Sequence, residues 1–254
     1  MHMGARSGRQ GFPVAASMAA GRRSRERDFR RRSALAMLRA MIRSLALAAA
    51  CCLPAGGALA HPHIFITTAL ELQVDDTGRL TGVVVTWDYD EMYSMLLLDE
   101  LQLDPDYDGI LTEAELAELD GYDLNWMEGF EGDLYVSTAE GRPVTLGPPE
   151  GLGVSFDDQT YASRHLRPLE RPRPASGLVV KAYDPGFYTA YDLGGGVTVS
   201  GNPACSARII PPEIDESYKD LAAELAELPP DAEGYPQVGE TFAETVQITC
   251  ETKS

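Results

Sequence analysis

The sequence predicts a mainly β protein, antiparallel and sandwich-like, that carries an inserted helix–loop–helix and one late amphipathic helix, so that its class is α+β overall. Apolar and β-branched residues dominate Ile64–Val74 and Leu80–Trp87, and the Asp/Gly turn at 75–78 between them indicates an antiparallel hairpin. Between residues 133 and 183, short strand-like segments alternate with Gly and Pro. Short strands with frequent turns are typical of a sandwich.

Helical spacing predicts that the insertion lies directly after the hairpin, at about residues 91–127. Apolar residues recur at helical intervals over 91–103, and a second helical run extends from 113 to about 126. A late helix is expected between Ile214 and Leu228, where it ends before two prolines and packs on the core. Its apolar face would consist of Ile214, Tyr218, Leu221, Leu225 and Leu228.

The first 60 residues resemble a secretory leader and not a part of the fold. Eleven arginines and only two acidic residues are followed by an apolar run at 45–53 and by Ala58-Leu59-Ala60. This order predicts a signal peptide that is cleaved after Ala60, which makes the protein periplasmic with no retained transmembrane helix. The alternatives are twin-arginine export through Arg31-Arg32, translation from Met37 or Met41, and lipidation at Cys51.

Beyond the leader, we expect two β sub-domains, 61–148 with the insertion and 149–254. The Pro-rich segment 167–174 would connect them or form a loop, because proline disfavours a buried strand. The run Gly194–Gly196 is typical of a hairpin turn. Cys205 and Cys250 remain after cleavage and are expected to form one disulfide in an oxidising compartment.

The charge balance excludes nucleic acid as a partner. Of 21 basic and 39 acidic residues, eleven and two lie in the first 60 positions, which leaves a net charge of about −27 beyond them. Such a surface repels a phosphate backbone and attracts cations and cationic partners. Solubility alone is an equally good explanation of the charge.

The segment from Asp104 to Glu115 fits the twelve-residue EF-hand calcium loop. Calcium prefers six to eight oxygen ligands, and the spacing of this loop directs them to one point. Gly109 stands where the loop needs a sharp turn. The expected ligands are the side chains of Asp104, Asp106 and Asp108, the Ile110 carbonyl, Thr112 through water, and both carboxylate oxygens of Glu115.

The alternative interpretation is an acidic turn in which Thr112 caps a helix and Glu115 completes a capping box. It does not account for three aspartates at alternate positions, which repel one another without a cation. No second twelve-residue loop occurs in the sequence, so Leu111 is expected to pack within this domain or against another chain. A single exported calcium loop predicts a structural clamp and not a switch.

A transition-metal site is a second hypothesis, at the start of the exported chain. His61 and His63 could bind Ni²⁺, Co²⁺ or Zn²⁺ together with Asp88, Asp90 or Glu91, although Pro62 prevents the square-planar amide site. The alternative is that both histidines are solvated or begin a strand. His165 is expected in an exposed loop, and because no catalytic motif occurs in the sequence, we do not expect an enzyme.

The chain resembles a family of uncharacterised periplasmic proteins described as the periplasmic component of an unclassified ABC-type transport system, often encoded beside nickel/cobalt-type permeases. The segments that carry this resemblance are His61–Phe65, Trp87–Tyr93 with Leu96–Leu98, Tyr183–Tyr188 and Cys205–Pro212. The resemblance implies an association with metal-ion transport and an inner-membrane metal permease as partner.

Together these observations favour a periplasmic calcium-binding accessory protein of a divalent transition-metal transport system. The alternative is a calcium-stabilised structural or interaction module without a transport role. An enzyme of unidentified activity is the third hypothesis.

Overall fold

A computed structural model describes residues 62–214, Leu221 and 236–251 of the chain, all within one compact unit of residues 58–254. The predicted leader, its cleavage site, His61 and most of the late amphipathic helix lie outside these residues. No helix among the described residues is long and apolar enough to cross a membrane.

The described strands form two five-stranded sheets in which antiparallel pairs predominate, which confirms the mainly β class. The first sheet has the order β5-β6-β2-β1-β8. Its strands are β1 (Ile64–Val74), β2 (Arg79–Tyr89), β5 (Glu150–Asp157), β6 (Thr160–Pro174) and β8 (Thr189–Ser200). The predicted hairpin is confirmed, because β1 and β2 pair antiparallel with Leu70 opposite Val85.

The second sheet has the order β4-β3-β7-β10-β9. Its strands are β3 (Leu134–Thr138), β4 (Pro143–Val144), β7 (Leu178–Ala182), β9 (Cys205–Ile210) and β10 (Thr245–Cys250). Strands from both sides of residue 148 pair within each sheet, so the proposed sub-domain boundary does not separate the sheets. Cys205 and Cys250 are paired across β9 and β10 and form a disulfide, as predicted, with their Cα atoms 4.0 Å apart.

The glycine run 194–196 does not form a hairpin turn but lies inside β8, which pairs parallel with β1. The register of this pair shifts between Thr67 and Ala69. A Cβ atom on Gly195 would stand 2.8 Å from the Ala69 Cβ and 2.9 Å from the Thr68 carbonyl oxygen. The glycine is therefore explained by the close approach of two backbones at a bulge.

The predicted connector at 167–174 is also wrong, because these residues are the second half of β6. The strand pairs with β5 only as far as Leu166, opposite Glu150, and beyond that point continues along β2. Residues 170–174 are exposed. On the side away from β2, the last backbone hydrogen bond of the strand among the described residues runs from the Glu170 amide to the Thr145 carbonyl at 3.2 Å. Pro172 and Pro174 follow this bond, where that side of the strand needs no ladder hydrogen bond.

Three helices occur among the described elements: α1 (Glu91–Leu101), α2 (Glu113–Leu119) and the short α3 (Gly239–Phe242). Asp90 caps α1 by accepting the Tyr93 amide at 2.9 Å. The second helix is shorter than predicted because Gly121, at a φ of 76°, begins a separate 3₁₀ turn at Tyr122–Leu124. One buried apolar cluster takes side chains from both sheets and from α1, α2 and the loop between these helices.

The disulfide supplies the first testable prediction. The Cys205→Ala/Cys250→Ala variant should lose roughly 2–4 kcal/mol of unfolding free energy, because the bridge closes a loop of 45 residues in the unfolded chain. Urea denaturation would measure the loss. Reductant should lower the wild-type midpoint to that of the variant and leave the variant unchanged, and an equal response of both proteins would contradict the prediction.

Candidate functional site

The loop between α1 and α2 is fixed to the core at three points. Leu103 and Leu111 are buried at either side of the loop, and Leu119 at the end of α2 is fully buried. The expectation that Leu111 packs within this domain is therefore confirmed. Because these leucines are buried in the core, the loop is anchored to the domain.

The three aspartates of the loop converge. Carboxylate oxygens of Asp104, Asp106 and Asp108 lie within 4.8 Å of one another, the only such group among the His, Cys, Asp and Glu side chains that the structure describes. Asp104 accepts the Asp108 amide at 3.1 Å and the Gly109 amide at 3.0 Å, while Gly109 turns the chain at a φ of 74°. The oxygen donors and the tight turn fit a hard divalent cation.

The electrostatics of the loop agree with this fit. The charge of Asp108 is the largest cause that raises the pKa of Asp106, followed by desolvation and by a hydrogen bond with Asp104. Asp106 and Asp108 are exposed, whereas Asp104 is buried. Mutual repulsion of carboxylates is relieved either by a proton or by a cation.

Glu115 is not part of the aspartate group. Its Oε2 accepts the Thr112 amide at 2.8 Å and the Thr112 hydroxyl at 2.7 Å, and its Oε1 accepts the Asp104 amide at 3.1 Å. These hydrogen bonds, led by that of the Thr112 amide, lower the pKa of Glu115. The capping box of the alternative interpretation is thus present, and it places an ionised carboxylate beside the first residue of the loop.

The histidine hypothesis gains no assembled site from the described residues. The His63 ring lies 4.8 Å from the Tyr188 ring, and no group of three potential ligands includes His63 in the described part of the chain. Both carboxylate oxygens of Asp90 accept backbone amides, from Phe65 at 2.8 Å and from Tyr93 at 2.9 Å. Asp88 and Glu91 are exposed. This transition-metal site remains a prediction.

The prediction that His165 lies in an exposed loop is wrong. The residue is fully buried in β6. Side chains alternate across a strand, and Tyr161, Ser163, His165 and Arg167 all point to the buried face. The imidazole packs edge-on against two indole rings, with 4.6 Å between its ring centroid and that of Trp87 and 5.8 Å to that of Trp126. This strand was not recognised from the sequence because its inward positions hold polar residues, so that apolar and polar residues do not alternate.

Sequence reasoning also missed a cluster of buried polar side chains on the inner face of the first sheet, the face to which His165 belongs. Asp123 accepts hydrogen bonds from the hydroxyls of Tyr89, at 3.1 Å, and Ser163, while its Oδ1 has no partner among the described residues. Within the part of the chain that the structure describes, both ring nitrogens of His165 are also without a hydrogen-bond partner. Burial raises the pKa of Asp123. The residues 120–133, which follow the loop and α2, thus supply a carboxylate that covers the inner face of the first sheet.

Arg167 and Asp133 complete the cluster. The Arg167 guanidinium lies 4.7 Å over the Trp126 ring and donates to the carbonyls of Gly147 and Glu131. Asp133 accepts the Tyr191 hydroxyl at 2.9 Å, and burial raises its pKa to about 7. Buried ionisable groups with shifted pKa values are found at functional sites and in structural networks alike.

Comparison with protein families finds a match over most of the chain. The profile of a family described as "Protein of unknown function (DUF1007)" matches residues 46–250, which is most of the chain. No curated protein matches the sequence.

His165 supplies the second prediction, which concerns acid stability. Burial, aided by the Arg167 charge, lowers the pKa of His165 from 6.5 to about 4. Between pH 6.5 and about 4, the imidazole is protonated in the unfolded chain but neutral in the folded protein. The free energy of unfolding therefore has its full value above pH 6.5 and decreases as the pH falls towards 4. His165→Phe should flatten this part of the stability profile, measured by urea denaturation between pH 4 and 7.5.

At pH 7.5 the same variant should be as stable as the wild type or more stable, because an apolar ring replaces two unpaired nitrogens. His63→Phe, at an exposed histidine, is the matched control for the loss of an imidazole and should change the acid slope less than His165→Phe does. A loss of more than about 2 kcal/mol in His165→Phe would show that ordered water or another group bonds to the imidazole.

Proposed function

The chain belongs to the DUF1007 family, whose description assigns no function, and we propose that it is an exported protein with one EF-hand calcium site at Asp104–Glu115. The observation that carries this proposal is the convergence of Asp104, Asp106 and Asp108 within 4.8 Å. The twelve-residue spacing adds the Ile110 carbonyl, Thr112 and Glu115 as the remaining ligands.

The hydrogen bonds within the loop favour calcium over a solvated turn. Asp104 accepts the amides of Asp108 and Gly109, which curls the backbone around the carboxylates. A capping box explains Thr112 and Glu115 but gives no reason to gather three further negative charges. A divalent cation offsets this repulsion and satisfies the oxygens together.

The calcium would act as a clamp. Leu103, Leu111 and Leu119 hold the loop and its exit helix in the core, so order in the loop is coupled to order in the domain. A ligand that binds only the folded state adds its binding free energy to the stability of that state. Affinities of roughly 10⁻⁴ to 10⁻³ M are sufficient for extracellular calcium modules.

An accessory role in divalent transition-metal transport is the wider proposal. Its support is the resemblance of the chain to periplasmic components of transport systems, together with the disulfide, which is typical of exported proteins. An inner-membrane permease would be the partner, and Ni²⁺, Co²⁺ or Zn²⁺ would bind near His61 and His63. The second candidate is a calcium-stabilised interaction module, which the ordered loop favours without any need for transport.

The calcium site supplies the third prediction. Wild-type protein should melt at a higher temperature in millimolar calcium than in chelator, and Glu115→Gln should lose most of this difference, because an amide replaces the bidentate carboxylate. Differential scanning calorimetry would measure both. Glu113→Gln, an exposed acid in the same helical turn outside the ligand set, is the matched control and should keep the calcium response. Equal melting of the wild type with and without chelator would refute the site.

The fourth prediction separates the two candidate roles. If the protein serves transition-metal transport, the purified protein should bind nickel, cobalt or zinc in equimolar amount, and His61→Ala/His63→Ala should abolish this binding. Equilibrium dialysis with elemental analysis would measure the bound metal. His165→Ala is a poor control because His165 is buried, so Glu113→Gln serves again. Retention of calcium alone would favour the interaction module.

A further inference from the structure

An open groove of about 1040 Å³ runs between α1, the start of the calcium loop and the turn that joins β5 to β6. Its floor is apolar and includes Leu98, Leu103 and Phe156. The loop and the turn meet at its end, where a Cβ atom on Gly109 would contact the Gln159 side chain at 3.8 Å. The groove is thus bounded by three elements and not by a single helix.

One wall of the groove is an apolar stripe that faces solvent. Met92, Met95 and Leu96 are 61%, 61% and 62% exposed, and their spacing places them on one face of α1. Burying large apolar side chains would stabilise the protein, so an exposed stripe beside an apolar groove indicates a binding surface. Methionine suits such a surface because its flexible side chain adapts to different partners.

The rim of the groove has one sign of charge. The described residues that line the groove include five acidic side chains and no lysine, arginine or histidine. The acidic residues are Glu91, Asp99, Asp104, Asp108 and Asp158. An apolar floor with an acidic rim is complementary to an amphipathic segment that carries lysine or arginine at its edges.

We propose that this groove docks a basic amphipathic helix of a partner protein. The apolar face of that helix would cover Met92, Met95 and Leu96, and its basic residues would lie along the acidic rim. A helix in a groove is a common mode of peptide recognition, with apolar anchors spaced by three and four residues. The proposal does not require calcium, since Glu91, Asp99 and Asp158 lie outside the loop whose carboxylates a cation would neutralise.

Charge argues against the other occupants. The chain's own segment 215–235 holds seven acidic residues and one basic residue, Lys219, so it would be repelled by the rim. A second copy would bring the same acidic rim to the interface, and an anionic membrane would add phosphate charge. A basic polypeptide is the occupant that the rim attracts.

The test uses a synthetic helix of leucine and lysine with its leucines on one face. Binding of this peptide to the purified protein, measured by isothermal titration calorimetry, should be at least about tenfold tighter than binding of a scrambled peptide with the same composition. Met95→Glu should weaken binding about tenfold or more, because it places a charge where the leucines pack. Met127→Glu, at a methionine that is 82% exposed and outside the groove, should bind as the wild type does.

The rim is tested separately. Asp99→Asn/Asp158→Asn should weaken binding and reduce its salt dependence, whereas Glu118→Gln/Glu128→Gln removes two exposed acids elsewhere and should change both less. All measurements are repeated with calcium and with chelator. If the loop does not bind calcium, the peptide affinity should be the same with calcium and with chelator, and the peptide should still bind. The docking proposal and the calcium proposal can therefore be refuted separately.

Several results would overturn the docking proposal. Equal binding of the ordered and scrambled peptides, or an unchanged affinity in Met95→Glu, would show attraction by charge alone. Tighter binding of a peptide of residues 215–235 would assign the groove to the chain itself. Dimerisation that Met95→Glu abolishes would assign it to a second copy, and Met95-dependent binding to anionic phosphatidylglycerol vesicles would assign it to a membrane.

Discussion

The attachment of the inserted segment to β6 is the constraint on which the rest of the structure depends. The Tyr161 amide donates to the Ser94 hydroxyl of α1 at 2.9 Å, and the Tyr161 hydroxyl donates to the Leu119 carbonyl at the end of α2. Asp123, one turn further along, accepts the Ser163 hydroxyl. Residues Tyr161 and Ser163 of β6 thus bond to three successive parts of the insertion: α1, the end of α2 and the 3₁₀ turn. In this buried environment, a polar group that loses its hydrogen-bond partner destabilises the fold.

These contacts give the insertion two faces with different chemistry. Towards the first sheet lie Asp123, which bonds to Tyr89 and Ser163, and Trp126, which contacts His165 and Arg167. Towards solvent lie the aspartates of the loop and the methionines of α1. The inner face fixes the placement of the segment, because Asp123 accepts the hydroxyls of Tyr89 and Ser163 and the Arg167 guanidinium lies over the Trp126 ring. The outer face is therefore held in a fixed shape, as a metal site or a docking surface requires.

The sequence predicted well the features that local chemistry determines. The β1–β2 hairpin follows from alternation and an Asp/Gly turn, α1 from helical spacing, and the convergence of Asp104, Asp106 and Asp108 from the spacing of one loop. Long-range pairing was missed, because nothing local indicates that β8 returns parallel to β1 or that the open side of β6 accepts prolines. His165 was misplaced because its burial depends on Trp126, which is distant in sequence.

The two faces are joined by α2, which has only seven residues. A helix this short is not stable in isolation, so its order must come from its ends. One end is the capping box of Thr112 and Glu115, and the other is Leu119, which is fully buried and whose carbonyl accepts the Tyr161 hydroxyl. A cation that draws on Glu115 therefore acts on the helix that leads to Asp123. The proposed calcium site would therefore stabilise the whole domain and not the loop alone.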